Sequence, residues 1–191
     1  LIPPVFVGAP ADETYDCLAD VTPETDITWT DNCDGTGMVS PSISDTSDPC
    51  TGGNITRTWE YTDQCGNPVT HVQSITINPV PDVMWTTALP ANVILQCGDA
   101  VPDAINLNYS NGLSGVVCAE NGTISPVEDG SIMFCGDMIT RTWEYTPTCG
   151  PAVMHIQTIT LEDTEPPILI NPLGNATYNC FADVPAAEDL T

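Results

Sequence analysis

Nine cysteines are the residues of this chain whose type and spacing point most directly to chemistry. They form two similar sets of four followed by the start of a third: Cys17, Cys33, Cys50 and Cys65; Cys97, Cys118, Cys135 and Cys149; and Cys180. Zinc sites prefer closely spaced cysteine pairs, whereas no two cysteines here are closer than fourteen positions. The spacing therefore predicts disulfides and, because disulfides persist outside the reducing cytosol, an extracellular or cell-surface protein.

The charge of the chain is strongly one-sided. It has 26 acidic residues against two basic ones, and a formal net charge of −24. A phosphate backbone or an anionic membrane surface would be repelled, and no apolar run is long enough to span a bilayer. We therefore expect neither nucleic-acid binding nor direct membrane insertion. The acidity favours solubility, repulsion between neighbouring fibres and affinity for cations.

Calcium is the cation that such a surface would hold best, because it takes about six to eight oxygen ligands. No D-x-D-x-D-G loop is present, so a solvated acidic surface is the alternative. We expect no required cofactor, and name as candidate calcium ligands one cluster at a module end and one in the next linker: Asp31, Asp34 and Asp63; and Glu162, Asp163 and Glu165.

No catalytic constellation stands out. His71 and His155 are the only histidines, they occupy equivalent positions in two repeats, and no G-x-S-x-G motif accompanies them. Neighbouring carboxylates are expected by chance in so acidic a chain. The sequence therefore predicts that the protein is not an enzyme.

The elements that must position these residues are repeated. Residues 55–77 read ITRTWEYTDQCGNPVTHVQSITI, and residues 139–161 read ITRTWEYTPTCGPAVMHIQTITL, an offset of 84 residues from position 55 to position 139. Such self-similarity is the signature of modules stacked along one axis. We predict modules over residues 1–80 and 81–164, and the N-terminal fragment of a third over 165–191, within a longer repetitive protein.

Short runs of β-forming residues separated by turn clusters predict all-β, Ig-like antiparallel sandwiches arranged as a rod. In the first module these runs are residues 5–7, 26–29, 38–43, 55–62 and 69–77. Prolines at positions 79, 81, 166 and 167 are expected to end the last strands and to stiffen the joints.

Alternation along residues 55–61 identifies the core face of the longest strand. We expect the aromatic residues on this face to be the largest burials of their modules. The two arginines share the face, and we expect each guanidinium to stack on an aromatic ring and to pair with a carboxylate; ligand binding is the alternative. The predicted core residues are Arg57, Trp59 and Tyr61, and Arg141, Trp143 and Tyr145.

The sequence alone does not determine the disulfide pairing, because the four cysteines of a module allow three connectivities. In an Ig-like order the strands alternate in direction, which places Cys17 and Cys50 at one end of the sandwich and Cys33 and Cys65 at the other. This geometry favours pairing within each module. The predicted bridges are Cys17–Cys50, Cys33–Cys65, Cys97–Cys135 and Cys118–Cys149.

Three motifs resemble a known family: WTDNCDG at 29–35, TRTWEYTDQCGN at 56–67 and EDTEPP at 162–167. They are similar to the hyalin-repeat (HYR)-like, Ig-like modules of very long bacterial surface proteins, including gliding-motility adhesins exported by the type IX system. The resemblance implies an extracellular fibre or adhesin. The second module departs from the motifs, with Val117-Cys118-Ala119 and Pro147-Thr148-Cys149-Gly150-Pro151 at the corresponding positions.

Two functions remain in view. In the first, the modules form a semi-rigid spacer or shaft of a surface fibre in attachment or gliding motility, and their partners are neighbouring modules or other fibre subunits. In the second, the modules themselves bind glycan or a protein partner. Trp85 and Tyr109 are the aromatic candidates for such a site, although we expect Trp85 to pack between modules.

Overall fold

The computed structural model describes residues 2–168 and 175–184. This part of the chain contains fourteen strands, two short 3₁₀ turns and no α-helix, so the predicted all-β class is confirmed. No helix in it is long and apolar enough to cross a membrane. The strands are β1 (Val5–Val7), β2 (Glu13–Tyr15), β3 (Ile27–Asp31), β4 (Gly35–Val39), β5 (Ser42–Asp45), β6 (Gly53–Thr62), β7 (Pro68–Ile77), β8 (Met84–Trp85), β9 (Val93–Leu95), β10 (Leu107–Ser110), β11 (Asn121–Ile124), β12 (Val127–Gly130), β13 (Met138–Tyr145) and β14 (Val153–Leu161).

Strands β1 to β7 form one set of two sheets. The three-stranded sheet has the order β1-β3-β4, and the four-stranded sheet has the order β2-β7-β6-β5. The long hairpin of β6 and β7 pairs antiparallel from Gly53 opposite Ile77 to Thr62 opposite Pro68. The short β2 pairs parallel with β7, which corrects the expectation of a purely antiparallel sandwich.

Strands β8 to β14 repeat this arrangement. Their sheets have the orders β11-β10-β8 and β12-β13-β14-β9, and β9 again pairs parallel with β14. All strand pairing therefore lies within residues 5–77 or within 84–161, and we refer to these two units as module 1 and module 2. The predicted boundaries at 80 and 164 fall outside both units.

Each module buries the aromatic face of its long central strand. Along β6, Ile55, Arg57 and Trp59 are buried while Glu60 on the other face is exposed. Trp59 and Trp143 are 1% and 0% exposed, and the indole of Trp59 donates to the Thr25 carbonyl at 3.1 Å. Burial of an indole whose N–H has a partner contributes a large apolar area at no polar cost.

Aromatic stacking joins the two sheets of each module. In module 1 the ring of Trp29 on β3 stacks on Tyr61 of β6, with centroids 3.8 Å apart. In module 2 Tyr109 on β10 stacks on Tyr145 of β13 at the same distance. These pairs hold the three-stranded sheet against the four-stranded one near the end of the central strand.

The predicted strand 38–43 and the predicted third fragment can be compared with the structure. The expected strand 38–43 is interrupted at Ser40 and Pro41, because proline cannot donate to the ladder, and it becomes parts of β4 and β5. Cys180 precedes a 3₁₀ turn over Phe181–Asp183, as Cys17 precedes one over Leu18–Asp20. The rest of the predicted third fragment over 169–174 and 185–191 lies outside the described residues.

Candidate functional site: the joint between the two modules

The central strands carry cysteines to both ends of each module. Cys50 lies three residues before β6 and Cys65 three residues after it. A strand of ten residues spans about 33 Å, so these two cysteines are at opposite ends of module 1. The parallel pairing of Tyr15 with Ile77 brings Cys17 to the end that holds Cys50. Module 2 repeats this distribution with Cys97 and Cys135 at one end, and Cys118 and Cys149 at the other.

The joint is closed by two disulfides between the modules. Cys17 is bonded to Cys118 and Cys50 to Cys149, with Cα–Cα distances of 5.8 and 5.3 Å. The unlike ends of the two modules therefore meet: the start of β6 in module 1 faces the end of β13 in module 2.

The predicted pairing within modules is wrong for the bridged cysteines. The sandwich geometry placed the members of each expected pair at one end, but it treated every module alone. Because the two ends abut, each sulfur at the joint bonds to a sulfur of the neighbouring module. The expected bridges Cys17–Cys50, Cys118–Cys149, Cys33–Cys65 and Cys97–Cys135 are not formed, and Cys33, Cys65, Cys97, Cys135 and Cys180 are exposed free thiols.

Each bridge contains one buried cysteine. Cys17 is 1% exposed and Cys149 is 9% exposed. The Val117 N–H donates to the Asp20 carboxylate of the other module at 3.3 Å. Mainly apolar side chains line a cavity of about 230 Å³ at the joint, among them Leu18, Pro49, Val80 and Val117. The arrangement restricts bending through covalent bonds and apolar contact together.

A carboxylate at the end of each module receives a tyrosine hydroxyl and a backbone N–H. In module 1 Asp34 accepts from Tyr61 at 3.1 Å and from the Gln64 N–H at 2.9 Å. In module 2 Glu120 accepts from Tyr145 at 2.7 Å and from the Thr148 N–H at 2.9 Å. Both carboxylates tie the β3–β4 or β10–β11 connection to the following hairpin.

The hydrogen bonds of Glu120 change the acidity of both partners. Desolvation alone would raise the pKa of Glu120, but the hydrogen bonds from Tyr145 and Thr148 outweigh it and hold this pKa below its usual range. The hydrogen bond to Glu120 raises the pKa of Tyr145, and Tyr109 and burial add to the increase. Sequence reasoning missed Glu120. Its signal was an acidic residue two positions after Cys118, where Asp34 is one position after Cys33.

The first group of candidate calcium ligands caps turns. Asp31 accepts the N–H groups of Cys33 and Asp34 at 2.7 and 2.9 Å. Asp63 is buried, and hydrogen bonds from Asn67, with a further one from the Cys65 N–H, lower its pKa. These contacts give Asp31, Asp34 and Asp63 structural roles, and calcium binding there stays a prediction.

The second group lies in the segment after β14. Glu162, Asp163 and Glu165 are exposed, and Asp163 accepts the N–H of Glu165 at 3.1 Å. Asp163 also lies with Cys97 and Cys135, so that one ligand atom of each is within 4.8 Å of the others. The hydrogen bond with Cys135 and then desolvation raise the pKa of Cys97, which disfavours the thiolate that a metal requires.

The two buried arginines differ in their partners. Arg141 Nε donates to Glu128 at 2.6 Å, and its Nη2 donates to the Pro102 carbonyl at 2.8 Å. Arg57 donates to the Thr22 carbonyl at 2.5 Å, but its Nε has no hydrogen-bond partner. The expected carboxylate is therefore found for Arg141 alone among the described residues. No stacking of either guanidinium on an aromatic ring is found there.

The remaining candidates make contacts inside their own module. Trp85 packs edge-on against Tyr109 of its own module with centroids 6.5 Å apart. The expectation that it packs between modules stays a prediction. His71 Nε2 lies 2.7 Å from the Pro10 carbonyl, and His155 Nε2 lies 2.9 Å from the Pro90 carbonyl. Each histidine thus ties the last strand to the segment before β2 or β9. The prediction that the protein is not an enzyme stays a prediction.

Residues 5–77 match the family of HYR-like domains with 4 cysteines. The matched range begins at the first residue of β1 and ends at the last residue of β7. No curated protein matches the chain. Module 1 is therefore similar to an HYR-like domain, which is an extracellular repeat type, and its all-β fold agrees with that class.

Proposed function

We propose that the chain is a segment of a long extracellular surface fibre or adhesin, in which it acts as a semi-rigid spacer. The bacterial, type IX-exported adhesins that the motifs resemble give the biological setting: attachment or gliding motility. In this role the modules set reach and transmit tension, and they require no cofactor and perform no catalysis.

The doubly bridged joint is the observation that carries this proposal. One disulfide would leave a hinge, whereas two bridges at separate points of the same interface oppose bending and twisting. The bridges Cys17–Cys118 and Cys50–Cys149 start from different connections of module 1 and end in different connections of module 2. Tension along the chain is then borne by covalent bonds.

The asymmetry of the joint supports an open array. A contact between unlike ends can be repeated from one module to the next, and it generates a filament when the rotation between modules does not close a ring. The net charge of −24 adds repulsion between neighbouring fibres. Physiological salt limits this repulsion to about 8 Å.

Small-angle X-ray scattering on the oxidised chain tests the spacer. We expect a radius of gyration above the roughly 16 Å of a compact globule of this length. The double variant Cys118→Ser and Cys149→Ser should widen the distribution of dimensions, because it removes both bridges. The matched control Cys33→Ser and Cys65→Ser alters only exposed thiols, and its monomer fraction should scatter as the monomer fraction of the parent chain does. A compact oxidised chain, or equal scattering from the bridged and unbridged forms, would contradict the proposal.

Glycan or protein binding by the modules is the second candidate, and it stays a prediction. Its aromatic residues, Trp85 and Tyr109, are half-buried and packed on each other. No contact among the described residues favours glycan or protein binding over the spacer role.

A further inference from the structure

The exposed Cys97/Cys135 end of module 2 is built like the bridged end of module 1. Cys97 follows a short strand that pairs parallel with the last strand of the module, as Cys17 does. The same backbone hydrogen bond closes both ends: Glu162 N–H to the Leu95 carbonyl at 2.9 Å, and Asn78 N–H to the Tyr15 carbonyl at 2.8 Å.

The exposed Cys33/Cys65 end of module 1 is likewise built like the end of module 2 that lies in the joint. Cys65 and Cys149 occupy the same hairpin at an offset of 84 residues, from position 65 to position 149. Asp34 and Glu120 each receive the tyrosine hydroxyl and the hairpin N–H beside these cysteines. The two free ends are thus the two complementary halves of the joint that the structure shows.

We propose that the Cys97/Cys135 end docks onto the Cys33/Cys65 end of another module of this type, with the disulfides Cys97–Cys33 and Cys135–Cys65 closing the new joint. A second copy of this chain presents that end. The inference rests on the proposed function and deepens it. It makes the pair of disulfides between neighbouring modules, which we call the covalent clamp, a property of every joint in the array.

Exposed apolar side chains at the Cys97/Cys135 end support the docking of another module there. Phe134 and Met133, next to Cys135, are 71% and 74% exposed. The position of Phe134 corresponds to Pro49, which precedes Cys50 and lines the cavity of the existing joint. A docked module would cover these side chains, which are now exposed to water.

For the new joint to form, oxidation must favour the bridges to another module over a disulfide between Cys97 and Cys135. Cys97 and Cys135 have their sulfurs 3.3 Å apart, so a local disulfide competes for the same thiols. Each cross-module bridge forms when two thiols lose two protons and two electrons, which reduce one small-molecule disulfide, such as oxidised glutathione, to two thiols. Exchange in a glutathione redox buffer lets the more stable pairing accumulate.

Two matched variants of the full chain, both carrying Cys180→Ser, remove the local competition. Cys97→Ser with Cys33→Ser leaves Cys135 and Cys65, which the proposal pairs. Cys97→Ser with Cys65→Ser leaves Cys135 and Cys33, which it does not pair. Both are oxidised in glutathione buffer at about 1 mM protein, near the effective concentration of a tethered neighbour. Non-reducing electrophoresis measures the oligomers, and mass spectrometry of unreduced peptides identifies the links.

The first variant should form a ladder of oligomers linked by Cys65–Cys135, several-fold more abundant than any ladder of the second. Equal yields, a predominance of symmetric Cys135–Cys135 links, or a first variant that remains monomeric would each overturn the inference. The scattering test of the spacer is made on the monomer fraction and does not depend on these thiols. A failed ladder with an extended oxidised chain would therefore remove the inference and leave the proposed function standing.

Discussion

Glu128 lies directly opposite Arg141 in the pairing of β12 with β13, and its Oε1 is 2.6 Å from the guanidinium Nε. The corresponding pair in module 1 is Ile43 opposite Arg57. Arg57 is 6% exposed, and its Nε has no partner. Module 1 therefore contains a buried cation without the carboxylate that its repeat equivalent has.

Ile43→Glu should stabilise module 1 because it supplies this carboxylate. Ile43 is 48% exposed, so the change removes little apolar burial. A hydrogen bond to a charged group contributes about 1.5–3 kcal/mol, and we expect a gain at the lower end of this range because the site is open to solvent. Thermal or denaturant unfolding monitored by tryptophan fluorescence measures it.

Ile43→Gln is the matched control, since it has the size of glutamate but no charge. It should give a smaller gain or none. A variant Ile43→Glu that is less stable than the parent chain would show that the unpaired Nε of Arg57 is satisfied in another way.

Glu120→Gln should destabilise module 2 by about 1–3 kcal/mol. Tyr145 and Thr148 donate to different carboxylate oxygens, and glutamine replaces one of these oxygens with an NH2 group that cannot accept. The lowered pKa of Glu120 determines in which direction the stability loss of the variant changes with pH. A carboxyl group with a lowered folded-state pKa stabilises the fold above its unfolded pKa, and this contribution is lost as the pH falls through the folded value. The difference between parent and variant should therefore be present at pH 7 and shrink below about pH 4.5.

Chemical denaturation at several pH values tests this expectation. Glu144→Gln is the control, because Glu144 is exposed on the same module and should show neither the loss nor its pH dependence. A loss from Glu120→Gln that is the same at pH 3 and pH 7 would argue against the charged hydrogen bonds.

Gly37→Ala should destabilise module 1, although alanine normally suits a strand better than glycine does. Gly37 lies opposite Trp29 in the sheet, and a Cβ there would be 2.5 Å from the ring carbon Cζ2 of Trp29. The ring would have to leave its stack on Tyr61, and overpacking of this kind costs about 1–3 kcal/mol. Near-ultraviolet circular dichroism should show the changed environment of Trp29.

Gly122→Ala provides a parallel test in module 2, where the added Cβ would be 2.6 Å from the Tyr109 hydroxyl. Ser44→Ala on the exposed β5 is the neutral control. Unchanged or increased stability of Gly37→Ala would mean that the Trp29 ring does not hold the position described.

The sequence predicted the features that repeat with a clear period. The all-β class follows from short alternating strands, and the buried face of β6 follows from the alternation of Ile55, Arg57 and Trp59 with polar residues. The parallel strands β2 and β9 were not predicted. Each has only three residues, too few for an alternating pattern to show, and each depends on pairing with a distant strand.

Glu120 escaped prediction because the connection before it has changed length. Cys33 follows Asp31 by two positions, whereas Cys118 follows Asn111 by seven. Glu120, which has a longer side chain and a shifted position, accepts in module 2 the hydrogen bonds that Asp34 accepts in module 1. The disulfides escaped for another reason: spacing along one chain indicates which cysteines share a module end, but not which ends meet.

Peptide mapping of the unreduced protein tests the central claim, the covalent clamp between modules, most directly. Digestion at low pH, where thiol exchange is suppressed, followed by mass spectrometry should yield peptides linked by Cys17–Cys118 and Cys50–Cys149. Recovery of Cys17–Cys50 and Cys118–Cys149 in their place would contradict the clamp and with it the stiff joint.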